Sequence, residues 1–222
     1  MDVDYNNFAE TFAQSREDMK WPEILYFFSL LEKYQGIIDV ACWNGRLIKQ
    51  YNDYFWQNPA HYLWIDSSDK LLDVAKSTYN GCTFITWSME DSASYFFISD
   101  IFWDIKKNIF CIAWLHHIVS MDDKIQTLLH WYRYLHPWEK VYMTNWALES
   151  SYNIDIYKHA RIADSENQFW AHDFSIKIGW NYRWYHSFTL TELEYLASKT
   201  WFLIVENTLF HQGKNFITIL ER

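Results

Sequence analysis

Apolar residues Ile24, Leu25, Phe28 and Leu31 recur at helical spacing after Pro22, which suits a first helical turn, and Gly36 closes that helix. Ile37-Ile38-Asp39-Val40-Ala41 is then a short apolar run of the kind that fills a buried parallel strand. The alternation continues along the chain. A helix from about Gly45 to Tyr54 precedes a second strand, His61 to Asp66, and Ser67 or Ser68 caps a helix carrying Leu71, Leu72 and Ala75 on one face. Cys82 to Thr86 and Ile109 to Ala113 give the third and fourth strands. An amphipathic helix from Lys124 to Leu135 stops at His136-Pro137, and Lys140 to Trp146 is the fifth strand. From about 147 to 187 the periodicity fades, which predicts an insertion or lid. Thr189-Leu190-Thr191-Glu192 has a capping pattern for a helix to Lys199, and Phe202–Phe210 and Phe216–Leu220 flank Gln212-Gly213-Lys214 as a hairpin.

This order predicts an α/β fold: a Rossmann-like, seven-stranded, mostly parallel sheet with helices on both faces and a C-terminal antiparallel β-hairpin. No internal repeat, low-complexity tract or linker interrupts it, so residues 1–222 are expected to form a single domain with a lid at about 147–187.

The first strand–turn–helix carries the chemistry. Asp39-Val40-Ala41-Cys42-Trp43-Asn44-Gly45 follows a strand and opens a helix, where nucleotide-binding sheets need small residues so that the backbone can approach its ligand. Asp66 comes 21 residues after Gly45 at the end of the second strand, where a carboxylate can take both ribose hydroxyls. An ordinary turn followed by a strand-end aspartate would show the same spacing.

Composition changes this picture at one point. Average usage predicts about 16 glycines in such a chain, whereas there are 5 glycines and 14 tryptophans. The remaining bulk numbers only narrow the class. Half the residues are apolar and 21% charged, as in a globular chain able to bury its own core. No run of about 18 apolar residues occurs, so a membrane-spanning helix is not expected. The acidic start Met1-Asp2-Val3-Asp4 lacks a secretory pattern, and Cys42, Cys82 and Cys111 form no C-x-x-C pair. A cytoplasmic location without disulfides or a zinc cage is the expectation. The net charge of -9 argues against nucleic-acid binding driven by phosphate contacts alone.

The turn resembles the Asp-Val-Gly-Cys-Gly-Asn-Gly motif of class I S-adenosylmethionine-dependent methyltransferases, with Ala41 and Trp43 at two glycine positions. Tyr62-Leu63-Trp64-Ile65-Asp66-Ser67-Ser68 resembles their Gly-hydrophobic-Asp-x-Ser, and Trp87-Ser88-Met89-Glu90 their Gly-Asp-Met or Gly-Ser-Met after the third strand. Leu135-His136-Pro137-Trp138-Glu139-Lys140 resembles Leu-Lys-Pro-Gly-Gly-Lys, and Lys199-Thr200-Trp201-Phe202 an Ala-Gly-Phe turn. A closer resemblance is to the Trm9-like tRNA wobble-uridine methyltransferases and the generic type 11 methyltransferase domain. It rests on Ser15-Arg16 with Lys20-Trp21-Pro22, Leu115-His116-His117-Ile118-Val119-Ser120, Asn145-Trp146-Ala147-Leu148-Glu149 and Arg183-Trp184-Tyr185-His186.

The resemblance implies S-adenosylmethionine as cofactor and methyl transfer by in-line displacement to an O or N acceptor, a modified tRNA uridine or a small molecule. It places Ala41, Cys42, Trp43, Asn44 and Gly45 against the methionine and ribose portion, with Asp39 toward the amino group. Asp66 and Ser67 take the ribose side, Ser88 and Met89 flank adenine, and Ala113, ending the fourth strand, also borders the cofactor. Tyr5 and Arg16 would lie over the cofactor, Arg16 also reaching the substrate as a catalytic candidate beside His116. For a hydroxyl or amine acceptor His116 is the first candidate base, and a carboxylate acceptor needs none. His117, Asn145, Arg183, Tyr185 and His186 fall on the substrate side. No metal is expected, since adjacent His116 and His117 do not easily converge on one ion. A tRNA substrate would call for a small activating subunit, or for a basic lid around Lys158, Arg161, Lys177 and Arg183. Other classes remain open: a non-catalytic binding protein on this fold if the motif tryptophans are real, or a nicotinamide dehydrogenase.

Trp43, Trp64, Trp87, Trp138 and Trp201 stand where the resemblance expects glycine. The expectation is that these five are glycines in the natural protein, encoded by a UGA codon that its genome reads as glycine. Trp21 and Trp146 fall where the likeness itself has tryptophan, and Trp56, Trp103, Trp114, Trp170 and Trp180 are undecided.

Overall fold

A computed structural model describes residues 21–222 except 33, 44, 80–81, 87–97, 99–100, 103 and 179. In chain order these form α1 (Pro22–Ser29), β1 (Gly36–Val40), α2 (Arg46–Phe55), β2 (Tyr62–Asp66), α3 (Asp69–Thr78), β3 (Thr83–Thr86) and β4 (Lys107–Ile112). A 3-10 turn at Leu115–His117 leads into α4 (Met121–Tyr134) and β5 (Lys140–Trp146). Then follow α5 (Ile154–Tyr157), β6 (His172–Ile178), β7 (Asn181–Ser187), α6 (Leu190–Lys199), β8 (Leu203–Phe210) and β9 (Asn215–Glu221).

Seven strands make one mostly parallel sheet in the order β3-β2-β1-β4-β5-β9-β8, and β6 with β7 makes a separate two-stranded sheet. The predicted architecture is present, terminal hairpin included, and β8 pairs antiparallel with β9 from Leu203↔Glu221 to Phe210↔Asn215. The strand order reverses between β1 and β4, and in open α/β sheets the crevice for ligands lies at the carboxyl ends beside that switch. The described chain packs as two compact units, one of residues 21–110 with 133–140, the other of 111–132 with 141–222.

In the first unit β1 and β2 are buried along their whole length, as the unbroken apolar runs predict. Their register pairs Ile37 with Tyr62 and Val40 with Ile65. Pro22 begins α1, which buries Ile24, Phe27 and Phe28. Phe28 meets the rings of Tyr51 at 5.5 Å and Phe110 at 6.0 Å, packing α1 on α2 and β4. A buried polar staple fixes the start of β4. Glu139 accepts hydrogen bonds from the backbone N of Lys107 at 3.0 Å and of His136 at 2.6 Å. Its carboxylate also pairs with Lys107 Nζ at 3.1 Å, both side chains being 3% exposed. Asn108 donates to Gln35 at 2.6 Å and accepts from the backbone N of Lys140 at 2.9 Å.

In the second unit Thr189 caps α6, its hydroxyl accepting from the backbone N of Glu192 at 3.2 Å. The predicted capping pattern is therefore realised on its Thr side. The Glu192 carboxylate instead meets His186 Nε2 at 2.7 Å and accepts from Asn167 at 3.0 Å. Part of the segment expected to lack periodicity is regular: β6 and β7 pair antiparallel from His172↔Ser187 to Ile178↔Asn181. On β6 the two-residue period is present, Phe174, Ile176 and Ile178 alternating with Asp173, Ser175 and Lys177, whereas the mixed polar and aromatic residues of β7 hide it. Asn153 ties the start of this segment to the β8–β9 turn, donating to the carbonyls of Ala147 at 2.9 Å and Lys214 at 2.8 Å.

Candidate cofactor turn and histidine–aromatic cluster

The β1–α2 turn has an unusual backbone. Ala41 (φ 53°), Trp43 (φ 55°) and Gly45 (φ 89°) are all left-handed, at alternate positions. An L side chain in this region is strained, and a bulky one is an outlier. The trace is that of a Gly-x-Gly-x-Gly loop in which only Gly45 is glycine. At Gly45 nothing else fits, since an added Cβ would lie 2.2 Å from the Trp64 ring.

Asp66 at the end of β2 is joined to this turn. Its carboxylate accepts from the backbone N of Trp43 at 3.0 Å and of Ser68 at 2.9 Å. Ser68 rather than Ser67 caps α3, accepting from the backbone N of Leu71 at 3.3 Å, while Ser67 is exposed. Asp39 is buried in β1 and accepts from the Tyr62 hydroxyl at 2.8 Å. Burial raises Asp39 to about 7, against the Tyr62 hydrogen bond and the Arg46 charge. Burial likewise raises Asp66 to about 6, opposed by the backbone hydrogen bonds of Ser68, Trp43 and Ser67. Buried carboxylates held this high gain from a cation. Cys42 is buried, and burial pushes its thiol up as well. The Trp43 indole is 7% exposed, and the Arg46 guanidinium lies over it at 3.9 Å.

Asp39, Ala41, Cys42, Trp43, Gly45 and Asp66 thus lie together around the β1–α2 turn. Asn44, Tyr5, Arg16, Ser88 and Met89 lie outside the described residues. Tyr62 and Arg46 were not singled out from sequence, although Arg46 directly follows the motif glycine and Tyr62 begins the strand that ends in Asp66.

The second unit brings together His116, His117, Arg183, Tyr185 and Trp146. His116, fully buried, stacks on Tyr185 at 5.4 Å, and Trp146 stacks on Tyr185 at 5.1 Å. Arg183 is buried and lies 5.5 Å over the same ring. His117 Nδ1 is 3.0 Å from the Trp184 carbonyl. A carbonyl can only accept, so Nδ1 carries the proton and Nε2 is left as a lone-pair acceptor. Burial lowers His117 to about 3, which keeps the ring neutral. Ala113 is again left-handed (φ 55°), its backbone N donating to the Thr144 carbonyl and hydroxyl, each at 3.0 Å. Both polar atoms of the Asn145 side chain are buried without a hydrogen-bond partner among the described residues. A buried amide left this way costs roughly 1–3 kcal/mol, which a bound polar ligand can recover.

His186 stands apart from this cluster, with both ring nitrogens engaged. Nδ1 meets Asp173 and Nε2 meets Glu192, each at 2.7 Å, tying β6, β7 and α6. Burial opposes a charged ring here, but the hydrogen bonds to the two carboxylates outweigh it and raise His186 above 6.5. A base whose folded-state pKa is raised stabilises fully below its unfolded pKa and loses that contribution as pH rises through the folded value. Denaturant unfolding is therefore expected to show a stabilising contribution from His186 that is lost as pH rises above the ordinary histidine range, with a shallower fall in His186→Gln. An identical slope in that variant contradicts the assignment.

No helix among the described residues is long and apolar enough to cross a membrane. None of their His, Cys, Asp and Glu side chains forms a group of three or more suited to a metal ion.

No family model and no curated protein matches this sequence. Solved structures do. A methyltransferase of Haloferax volcanii in complex with the Trm112 methyltransferase activator has a TM-score of 0.66 at 10% identity, over 98% of this chain and 95% of that one. An S-adenosylmethionine-dependent methyltransferase of Methanosarcina mazei matches with 0.63 at 15% identity, over 91% and 98%. The 1,6-didemethyltoxoflavin-N1-methyltransferase of Burkholderia thailandensis, with bound 1,6-didemethyltoxoflavin and S-adenosylhomocysteine, matches with 0.61 at 13% identity, over 100% and 91%. At these identities the likeness is one of fold, and the fold of this chain is that of the class I S-adenosylmethionine-dependent methyltransferases.

Proposed function

We propose that the chain works as one S-adenosylmethionine-dependent methyltransferase domain that methylates an O or N acceptor. The observation that carries this reading is the triple left-handed turn at 41, 43 and 45, hydrogen-bonded through residue 43 to the strand-end carboxylate of Asp66. The donor set fits the cofactor. Asp66 takes the ribose hydroxyls, the turn backbone approaches the methionine portion, and the buried Asp39 faces its amino group. Ser67, Ser88 and Met89 are assigned to the nucleoside, and Tyr5 and Arg16 to closure over the site. Bound there, the cofactor supplies an electrophilic methyl on a good leaving group. What remains for the protein is to align the acceptor near 3 Å and to exclude water.

The acceptor side is assigned to His116, His117, Asn145, Arg183 and Tyr185. The stacked Trp146, Tyr185 and His116 rings suit a flat acceptor. His116 is the candidate base for a hydroxyl or amine acceptor, whereas the neutral His117, with Nε2 unprotonated, can accept a hydrogen bond from it. Segment 147–187 is assigned as the lid.

The test is calorimetric titration with S-adenosylmethionine. Stoichiometric binding that strengthens as pH rises through the range of Asp39 and Asp66 is expected, because a cationic ligand favours both carboxylates ionised. No binding, by any form of the chain, contradicts the proposal.

A tRNA acceptor is a second reading, resting on the resemblance to the Trm9-like enzymes, and the Haloferax neighbour solved with an activator supports a partner subunit for it. The lid's cations are partly neutralised. Lys158 and Arg161, both exposed, pair with Asp155 at 2.8 Å and Glu149 at 3.7 Å, Lys177 is exposed, and Arg183 is buried. The chain alone is therefore expected to bind tRNA weakly, with a partner providing the phosphate contacts. Tight binding by the isolated chain with a steep salt dependence contradicts this.

A further inference from the structure

Ten described residues other than glycine have left-handed backbones, and five of them are tryptophan: Trp43, Trp56, Trp138, Trp170 and Trp201. Tryptophan makes up 14 of 222 residues, so chance does not place it at half of the left-handed sites. A β-branched or bulky side chain at positive φ is ordinarily an outlier, whereas glycine occupies this region without steric cost.

Each site is one that specifically favours glycine. Trp56 terminates α2 in the left-handed position, its backbone N donating to the Asn52 carbonyl at 2.9 Å. Trp201 follows the Thr200 cap of α6 with φ 61°. At the turn His136-Pro137-Trp138-Glu139 the backbone N of Glu139 donates to the His136 carbonyl at 3.1 Å, and Trp138 has φ 73°. Proline followed by a left-handed residue is the type II turn, whose third position calls for glycine. Trp170 closes a turn on the Asn167 carbonyl at 3.0 Å with φ 64°. Four of these indoles are mostly exposed, Trp56 92%, Trp170 75%, Trp138 68% and Trp201 66%. Trp43 is the exception, buried in the proposed cofactor turn.

We infer that the functional protein has glycine at positions 43, 56, 138, 170 and 201, from a codon read as glycine in its own cell and as tryptophan in this chain. For positions 56, 138, 170 and 201 the backbone alone is the warrant. At position 43 the inference also rests on the proposed function, because removing the indole opens the turn to the cofactor. Trp56 and Trp170, undecided by sequence, join the set through their φ angles. Trp64 does not join it on this ground: it is fully buried in β2, its ring 4.6 Å from Phe84 and 5.3 Å from Tyr62. Trp87 lies outside the described residues.

The experiment pairs peptide mass spectrometry of the protein isolated from its own cells with thermal melting of two recombinant forms, the chain as given and its variant with glycine at the five positions. Glycine is expected in all five native peptides, with tryptophan retained at Trp21 and Trp146. The glycine form is expected to melt higher, by roughly 5–15 °C for five relieved positions. Tryptophan in the native peptides at 43 and 138 overturns the inference. Glycine peptides together with a glycine form that binds no S-adenosylmethionine uphold the recoding and reject the methyltransferase reading. Tryptophan peptides with cofactor binding by the chain as given do the reverse.

Discussion

Glu139→Ala is expected to destabilise the chain by about 3–5 kcal/mol, the range for removing one partner of a buried ion pair. The change strands the Lys107 ammonium in a site where its side chain is 3% exposed, and leaves the backbone N of Lys107 and of His136 without their acceptor. These groups anchor the start of β4 and the turn before β5, so the loss is felt by the sheet and not by a surface loop. Urea unfolding measures it. A loss below about 1 kcal/mol, the value of an exposed pair, contradicts the buried-staple assignment. Glu139→Gln is expected to recover part of the loss, because a carboxamide oxygen still accepts from the two backbone groups while lacking the charge that balances Lys107.

Asp66→Ala is expected to weaken S-adenosylmethionine binding by about 1.5–3 kcal/mol, roughly 10- to 150-fold, the value of hydrogen bonds to a charged group. The variant is compared with its parent in the form that binds, by calorimetry, and its fold is checked by thermal melting. Asp66 also holds the backbone N of residue 43, so a modest drop in melting temperature accompanies the change. Unchanged affinity in a folded variant removes Asp66 from the ribose role.

The order of strands and helices was legible because buried parallel strands leave unbroken apolar runs and helices leave a 3.6-residue period. Most boundaries moved by only a few residues: α4 begins at Met121 where Lys124 was expected, and β4 begins at Lys107 rather than Ile109, but α1 ends at Ser29 and Gly36 opens β1 instead of closing that helix. The polar start of β4 was hidden because Lys107 and Asn108 are buried by satisfying one another's surroundings, Glu139 and Gln35, which no local pattern reveals. The same holds for β7, where Arg183 and His186 are buried on opposite faces and so break the expected alternation. At the candidate site, Asp39, Asp66 and the 41–45 turn were legible from motif spacing. Tyr62 and Arg46 were not, since a tyrosine at a strand start and an arginine at a helix start are ordinary until the fold sets them against Asp39 and Trp43. The His186 tie was likewise invisible, because its carboxylates Asp173 and Glu192 come from different elements.

The tryptophan excess was visible in composition, but its meaning at single positions needed the backbone. Sequence pattern pointed to 43, 64, 87, 138 and 201 through motifs, and left 56 and 170 undecided because a helix C-terminus and a loop turn carry no motif. There the φ angles decide.

The most direct test of the account is a crystal structure of the glycine-43 chain with S-adenosylhomocysteine. The account predicts the ribose hydroxyls on the Asp66 carboxylate and the amino acid portion along residues 41–45, near Asp39. A nucleoside bound elsewhere on the chain, with Asp66 contacting only the backbone of residues 43 and 68, contradicts it.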